Sequence, residues 1–254
     1  PQSVNSWEET ETQGIDIVLA LDVSGSMLAQ DLQPDRLQAA KKVASEFIAD
    51  RPNDNIGLVI FAGESFTQCP LTTDHKILLN LLNEVEYEMI EDGTAIGLGL
   101  ATSVNRLKDS QSESRVVILL TDGTNNRGQI APLTAADLAR SYGIRVYTVG
   151  VGTKGMALTP MNTPYGVRMQ NMQVDIDEKT LTEIAAMTGG QYFRAQDTEG
   201  LRQVYDEIDE MEKYLISVQN VTRRKELFLP FALAALGLIL LELLLRRTWL
   251  RSVP

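Results

Sequence analysis

The chain has 254 residues, 44% of them hydrophobic, with 34 Asp and Glu against 23 Lys and Arg, for a net charge of −11. That length and apolar content suit one or two cored domains, while so acidic a chain is excluded as a nucleic-acid binder, which leans on clustered Lys and Arg. A single cysteine, Cys69, and a single histidine, His75, also exclude an internal disulfide framework and any site that needs two histidines.

Residues 1–13 (PQSVNSWEETETQ) are polar and acidic, and read as a tether rather than an export signal. Residues 15–21 (IDIVLAL) are apolar apart from Asp16, as a strand covered on both faces should be. Residues 36–50 place Leu37, Ala40, Val43, Ala44, Phe47 and Ile48 on one helical face, ended by Pro52. A second buried strand follows at 56–61 and a short edge strand at 64–71. Ile77, Leu78, Leu81, Leu82 and Val85 mark a helix, and residues 94–107 another. Strand 115–120 (RVVILL), helix 133–142 and strand 144–149 come next, then helix 179–188, strand 191–195 and helix 201–213. In that last helix Val204, Tyr205, Ile208 and Met211 read as core. Asp206, Glu207, Asp209, Glu210 and Glu212 read as a solvated face. The alternation predicts an α/β class, a doubly wound and mostly parallel sheet with helices on both sides.

Residues 153–175 break the rhythm with two prolines, four methionines and a Tyr165-Gly166 turn. They read as a hairpin insertion: a surface elaboration, or a partner contact, since methionines make adaptable binding surfaces.

The charge shifts along the chain. Only two of the 34 acidic residues, but six of the 23 basic ones, fall within 221–254. Residues 227–245 (LFLPFALAALGLILLELLL) carry one charge, and as a helix would span about 28 Å, close to a hydrocarbon core of roughly 30 Å. Arg223, Arg224 and Lys225 precede this stretch; Arg246, Arg247, Trp249 and Arg251 follow it. The reading is one transmembrane helix, after a linker at 214–226 and before a basic tail at 246–254. Equal numbers of basic residues on either side leave its orientation undecided by the positive-inside rule.

The chemistry concentrates where the first strand ends, at Asp22-Val23-Ser24-Gly25-Ser26. Alternate side chains of extended backbone share a side, so Asp22, Ser24 and Ser26 can converge at the edge where open α/β sheets bind ligands. One carboxylate and two hydroxyls are hard oxygen donors of the kind Mg2+ takes. Taken alone, the stretch is equally a strand-to-helix turn. Two further loops weigh against that: Thr121-Asp122-Gly123 follows the RVVILL strand, and Asp92-Gly93-Thr94 precedes a helix, where Thr94 can offer its hydroxyl. Each by itself is an ordinary Asp-Gly turn or a capping threonine.

A glycine-rich stretch at 150–155 (GVGTKG) fits GxGxxG after a strand. Pro160 and Pro164 interrupt any phosphate-binding helix behind it, so nucleotide is excluded. Ser24 and Ser26 have no base nearby in the chain, because His75 belongs to a different helix start.

DVSGS, then a loop threonine, then TDG on an apolar strand resembles the von Willebrand factor A domain with its metal-ion-dependent adhesion site, over residues 14–213. The resemblance implies a metal site of Asp22, Ser24, Ser26, Thr94 and Asp122, occupied by Mg2+ or Mn2+. The tether, the DVSGSMLAQDLQPDRLQAAK segment and the apolar helix behind the domain resemble the BatA-type proteins of bacterial aerotolerance operons. That likeness implies sister von Willebrand A membrane proteins and a MoxR-type AAA+ ATPase as partners. It also implies an inner-membrane location with a periplasmic domain. The family's two membrane segments ahead of the domain do not precede Pro1, which on this reading fits a truncated or processed start. The function expected is a metal-dependent, non-enzymatic interaction module that takes a partner carboxylate through the ion. The alternatives are a structural subunit whose metal only stiffens loops and, third, a metal-assisted hydrolase.

Overall fold

The computed structural model describes residues 14–153, 155–163, 166–174, 176–222, 232–239 and 242. One unit, Thr12–Lys213, holds the sheet. Its strands are β1 (Asp16–Asp22), β2 (Asn55–Phe61), β3 (Ser65–Thr72), β4 (Arg115–Thr121), β5 (Arg145–Val151) and β8 (Tyr192–Ala195), in the spatial order β3-β2-β1-β4-β5-β8. Every neighbouring pair is parallel except β2 with β3, where the tight turn at residues 62–64 returns the chain antiparallel along the edge. The helices are α1 (Arg36–Ala49), α2 (His75–Asn83), α3 (Ile96–Leu107), α4 (Pro132–Ser141), α5 (Glu178–Thr188) and α6 (Thr198–Thr222).

All seven residues of β1 are buried, because a central parallel strand has helices over both faces. Val18 and Ala20 of β1, Val59 and Phe61 of β2, and Val117 and Leu119 of β4 share one core with apolar residues of α3, α4 and α5. α1 and α6 stand outside that cluster and meet each other through the Phe47 and Tyr205 rings, 4.8 Å between centroids. Gly99 shows how closely α3 lies on the sheet: a Cβ there would fall 2.6 Å from the Phe61 ring.

The expected strands and helices are present, with shifted ends. The helix expected from 94 starts at Ile96, because the Thr94 backbone is spent on the next loop. Its N–H donates to Asn126 Oδ1 at 2.9 Å, and its carbonyl accepts from the N–H of Asn126 and Arg127. α6 begins three residues earlier than expected, where Asp197 Oδ1 accepts from the Gly200 N–H at 2.7 Å. It runs on to Thr222, through the first part of the stretch read as a linker.

One reading of α6 is corrected. Glu212, placed on the solvated face, is 1% exposed. Its carboxylate accepts from Arg145 Nε at 2.8 Å and again from Arg145 Nη2, from Ser114 Oγ at 2.8 Å and from Tyr147 Oη at 2.6 Å. Its partners stand where β4 and β5 begin, and Glu212 lies four residues beyond buried Ile208 on the inward face of α6.

The insertion forms a hairpin, β6 (Gly155–Thr163) against β7 (Gly166–Val174), a two-stranded sheet of its own. Gly155 opens β6, so the GxGxxG stretch runs into a strand and not into a helix N-terminus that could take a phosphate. Ala157 and Thr159 are buried, while Met156, Leu158 and Met169 are exposed. Cys69 is buried in β3. His75 opens α2, and its Nε2 lies 2.9 Å from the Asp54 carbonyl oxygen.

Residues 232–239 are helical, with Leu233, Leu236, Leu238 and Ile239 exposed. Among the described residues no helix is long and apolar enough to cross a membrane. The rest of the membrane helix expected at 227–245, and the tail behind it, lie outside the described residues.

Candidate metal centre

β1 and β4 lie side by side, so Asp22, the last residue of β1, and Asp122, the first after β4, come to one edge of the sheet. After Asp22 the chain turns sharply through a 3-10 turn at Gly25–Leu28. The Asp22 carboxylate starts that turn by accepting the Ser24 N–H at 2.9 Å. Ser24 and Ser26 then stand with their hydroxyls 3.1 Å apart, and Ser26 Oγ donates to Asp122 Oδ1 at 2.6 Å. Four of the five expected residues are therefore joined directly. Thr94 comes to the same edge through the loop before α3, its hydroxyl 3.3 Å from where a Cβ on Gly123 would be.

Asp22, Ser24, Thr94 and Asp122 are buried, and Ser26 is exposed. The cluster therefore has an open side at the first turn after β1. The electrostatics are unbalanced. Burial, and then the charge of Asp122, push the Asp22 carboxyl from an ordinary 3.8 to about 7, although hydrogen bonds from Ser24 and Thr121 work the other way. Burial raises Asp122 as well, against the pull of Arg36 and Ser26.

Sequence reasoning missed two groups that hold these carboxylates, Thr121 and Arg36, and one that holds the turn between them, Asp92. Thr121 Oγ1 donates to Asp22 Oδ2 at 2.5 Å. Asp92 Oδ1 accepts the Gly25 N–H at 2.9 Å, which ties the turn to the Thr94 loop. Arg36, 2% exposed and expected only to open a helix, donates from Nη1 to Asp122 Oδ2 at 2.7 Å. The DVSGS and TDG spacing is local, whereas Arg36 reaches Asp122 across 86 positions of the chain.

The donor set fits a hard divalent cation. Two carboxylates and three hydroxyls supply oxygen alone, with ample room in the usual preferences of Mg2+ for waters to fill the remaining positions. Among the described residues no group of three or more His, Cys, Asp or Glu side chains converges, so hydroxyls make up the rest of this donor set.

Comparison with known proteins agrees with this architecture. A family model for the von Willebrand factor type A domain matches residues 16–207. Among solved structures, an aerotolerance-related membrane protein from Bacteroides fragilis is 31% identical, covering 76% of this chain and 98% of that one, with a TM-score of 0.67. BatB from Bacteroides thetaiotaomicron is also 31% identical, covering 79% and 100%, again at 0.67. A UPF0353 protein of Mycolicibacterium vanbaalenii is 30% identical over 247 residues, 89% of this chain and 69% of that one. The chain spans between 59% and 71% of the length of the first curated relatives it matches.

Proposed function

Because this chain belongs to the von Willebrand factor type A family, we propose that it is a divalent-metal-dependent protein-interaction module working at a bacterial inner membrane. The observation that carries the reading is the pair Asp22 and Asp122. Two buried carboxylates converge on hydroxyls, and one guanidinium stands against them. Such a cluster lacks positive charge, and Mg2+ or Mn2+ is the cation its donors suit.

In this reading Asp22, Ser24, Ser26, Thr94 and Asp122 hold the ion, directly or through water. A bound Mg2+ supplies positive charge and a coordination position for a partner's carboxylate. The chain's own part is orientation. Thr121 and the Ser24 N–H fix Asp22, Arg36 and Ser26 fix Asp122, and Asp92 holds the turn that carries both serines. A catalytic role has little to work with, since hydrolysis needs a positioned base, and the His75 ring is engaged with the Asp54 carbonyl at another part of the fold.

The likeness to an aerotolerance-related membrane protein and to BatB supports a Bat-type setting. We assign sister von Willebrand A membrane proteins and a MoxR-type ATPase as partners, residues 227–245 as the anchor, and the periplasm as the domain's compartment. A cysteine placed at exposed Gln196 should then react with a membrane-impermeant maleimide once the outer membrane alone is opened. Reaction only after the inner membrane is broken would reverse the orientation.

The decisive experiment is co-purification from native membranes, wild type beside Asp22→Ala, with Mg2+ or with chelator. A partner retained by the wild type in Mg2+, and lost with either Asp22→Ala or chelator, is the expected result. A partner held equally in all conditions would mean the edge is not the binding surface.

A further inference from the structure

Asp122 is gripped from beneath by a chain of charges that continues away from the sheet edge. Arg36 spends its whole fork: Nη1 on Asp122 Oδ2 at 2.7 Å, Nε on Asp31 Oδ1 at 2.7 Å and Nη2 on Asp31 Oδ2 at 2.6 Å. Asp31 Oδ2 also accepts the Thr153 N–H at 2.8 Å and the Thr153 hydroxyl at 3.1 Å. Thr153 lies two residues before β6. Its neighbour Gly152, at φ +123°, lies so flat on the guanidinium that a Cβ would fall 2.5 Å from Nη2. One step further, the Gln30 N–H donates to the Leu158 carbonyl within β6 at 2.9 Å. The segment carrying Asp31 is thus bonded to Asp122 through Arg36 on one side, and to the hairpin at two points on the other.

We propose that Arg36 and Asp31 couple the metal-binding edge to the β6–β7 hairpin, with Arg36 as the positioning residue for Asp122 and Asp31 as the link to Thr153. The inference rests on the reading of the Asp22–Asp122 cluster as a cation site. Its physics is competition for one guanidinium. A cation drawn to Asp122 weakens that carboxylate's hold on Arg36, so the fork settles on Asp31 and the Asp31–Thr153 junction tightens. When Asp31 loses its charge, Arg36 is left with Asp122 alone and contests it with the cation. Coupling of this kind is reciprocal: whatever moves the hairpin changes cation affinity by the same factor that the cation changes the hairpin's equilibrium. The exposed Met156, Leu158 and Met169 stand on the element so linked.

The test uses the full chain, titrated with MgCl2 by calorimetry and followed by hydrogen–deuterium exchange over residues 153–174, in wild type, Asp31→Asn and Arg36→Lys. In wild type, Mg2+ should bind and slow exchange in that segment. Asp31→Asn, which touches none of the five donors, should weaken Mg2+ about fivefold or more and abolish the slowing. Arg36→Lys keeps the charge but loses the fork, and should abolish the slowing too. Normal Mg2+ binding with unchanged hairpin exchange in wild type overturns the coupling alone, as does slowing that persists in Asp31→Asn. Absence of any Mg2+ binding overturns the cation site and the coupling together. Should one variant fail to fold, the other carries the same test, and absence of slowing in wild type still overturns the coupling.

Discussion

The two ends of the sheet bury acid in opposite ways. At the end where β4 and β5 begin, Glu212 meets four donated hydrogen bonds, two of them from Arg145. Burial alone would raise its carboxyl, yet the bonds from Arg145, Tyr147 and Ser114 hold it below the ordinary range. At the other end, Asp22 is buried beside Asp122 with no cation of its own among the described residues, and stands at about 7. The first arrangement is complete within the chain. The second is short of positive charge, and that shortage is what a ligand can exploit, because a charge buried without compensation costs several kcal/mol that a partner can return.

The comparison breaks most easily at the compensated end. Glu212→Gln leaves the half-buried Arg145 against a neutral amide, and should cost about 3 kcal/mol of unfolding free energy, measured by urea denaturation. A loss well under 1 kcal/mol would mean that Glu212 is not a structural anchor. At the other end, Mg2+ at about 100 times its Kd should add about 2.7 kcal/mol. Asp22→Ala should erase that gain while leaving the chain folded, as thermal melts with Mg2+ and with chelator would read.

The pH dependences should run in opposite directions. Asp22 has a folded value raised above its unfolded one, so its contribution is fully present below about pH 4 and is lost as the pH rises towards 7. Glu212 has a lowered value, so its contribution is present above about 4.5 and is lost as the pH falls through the folded value. In chelator, the urea midpoint should therefore rise as the pH falls from 7 towards 5, then drop in stronger acid. Asp22→Asn should flatten the upper limb and Glu212→Gln the lower. The smallest effect belongs to Ser26→Ala, which removes one bond to Asp122 from an exposed hydroxyl. About 1 kcal/mol of stability is at stake, with weaker Mg2+ binding visible by calorimetry.

The sequence made the uncompensated end easy to read and the compensated end hard. Asp22, Ser24, Ser26, Thr94 and Asp122 sit in short loops at strand ends, where spacing along the chain translates directly into convergence. Arg36 is joined to Asp122 across 86 positions and Arg145 to Glu212 across 67, and no local period records either pairing. Glu212 was nonetheless within reach of the pattern, since Leu201, Tyr205, Ile208 and Glu212 follow one inward helical stripe. Its negative charge outweighed its position. The hairpin was legible from its turn residues and the edge strand from its place after β2, but the edge strand's antiparallel pairing and the seating of the hairpin on the segment before α1 depend on backbone bonds that composition does not encode.

α6 has a mechanical consequence. It is one helix from Thr198 to Thr222, and Asp209 and Glu212 fasten it to Arg51 and Arg145. A pull on its C-terminal end would enter the body at those two arginines, Arg51 ahead of β2 and Arg145 at the start of β5. A pull exerted by a partner at Asp22 would enter at the far end of β1, one strand length, about 20 Å, away. Opposed forces of this kind load the β1–β4–β5 backbone ladder in shear, where several hydrogen bonds must yield together rather than one after another. Such a body can carry tension from α6 into the sheet while Asp22, Ser24, Ser26 and Asp122 lie at the opposite sheet edge.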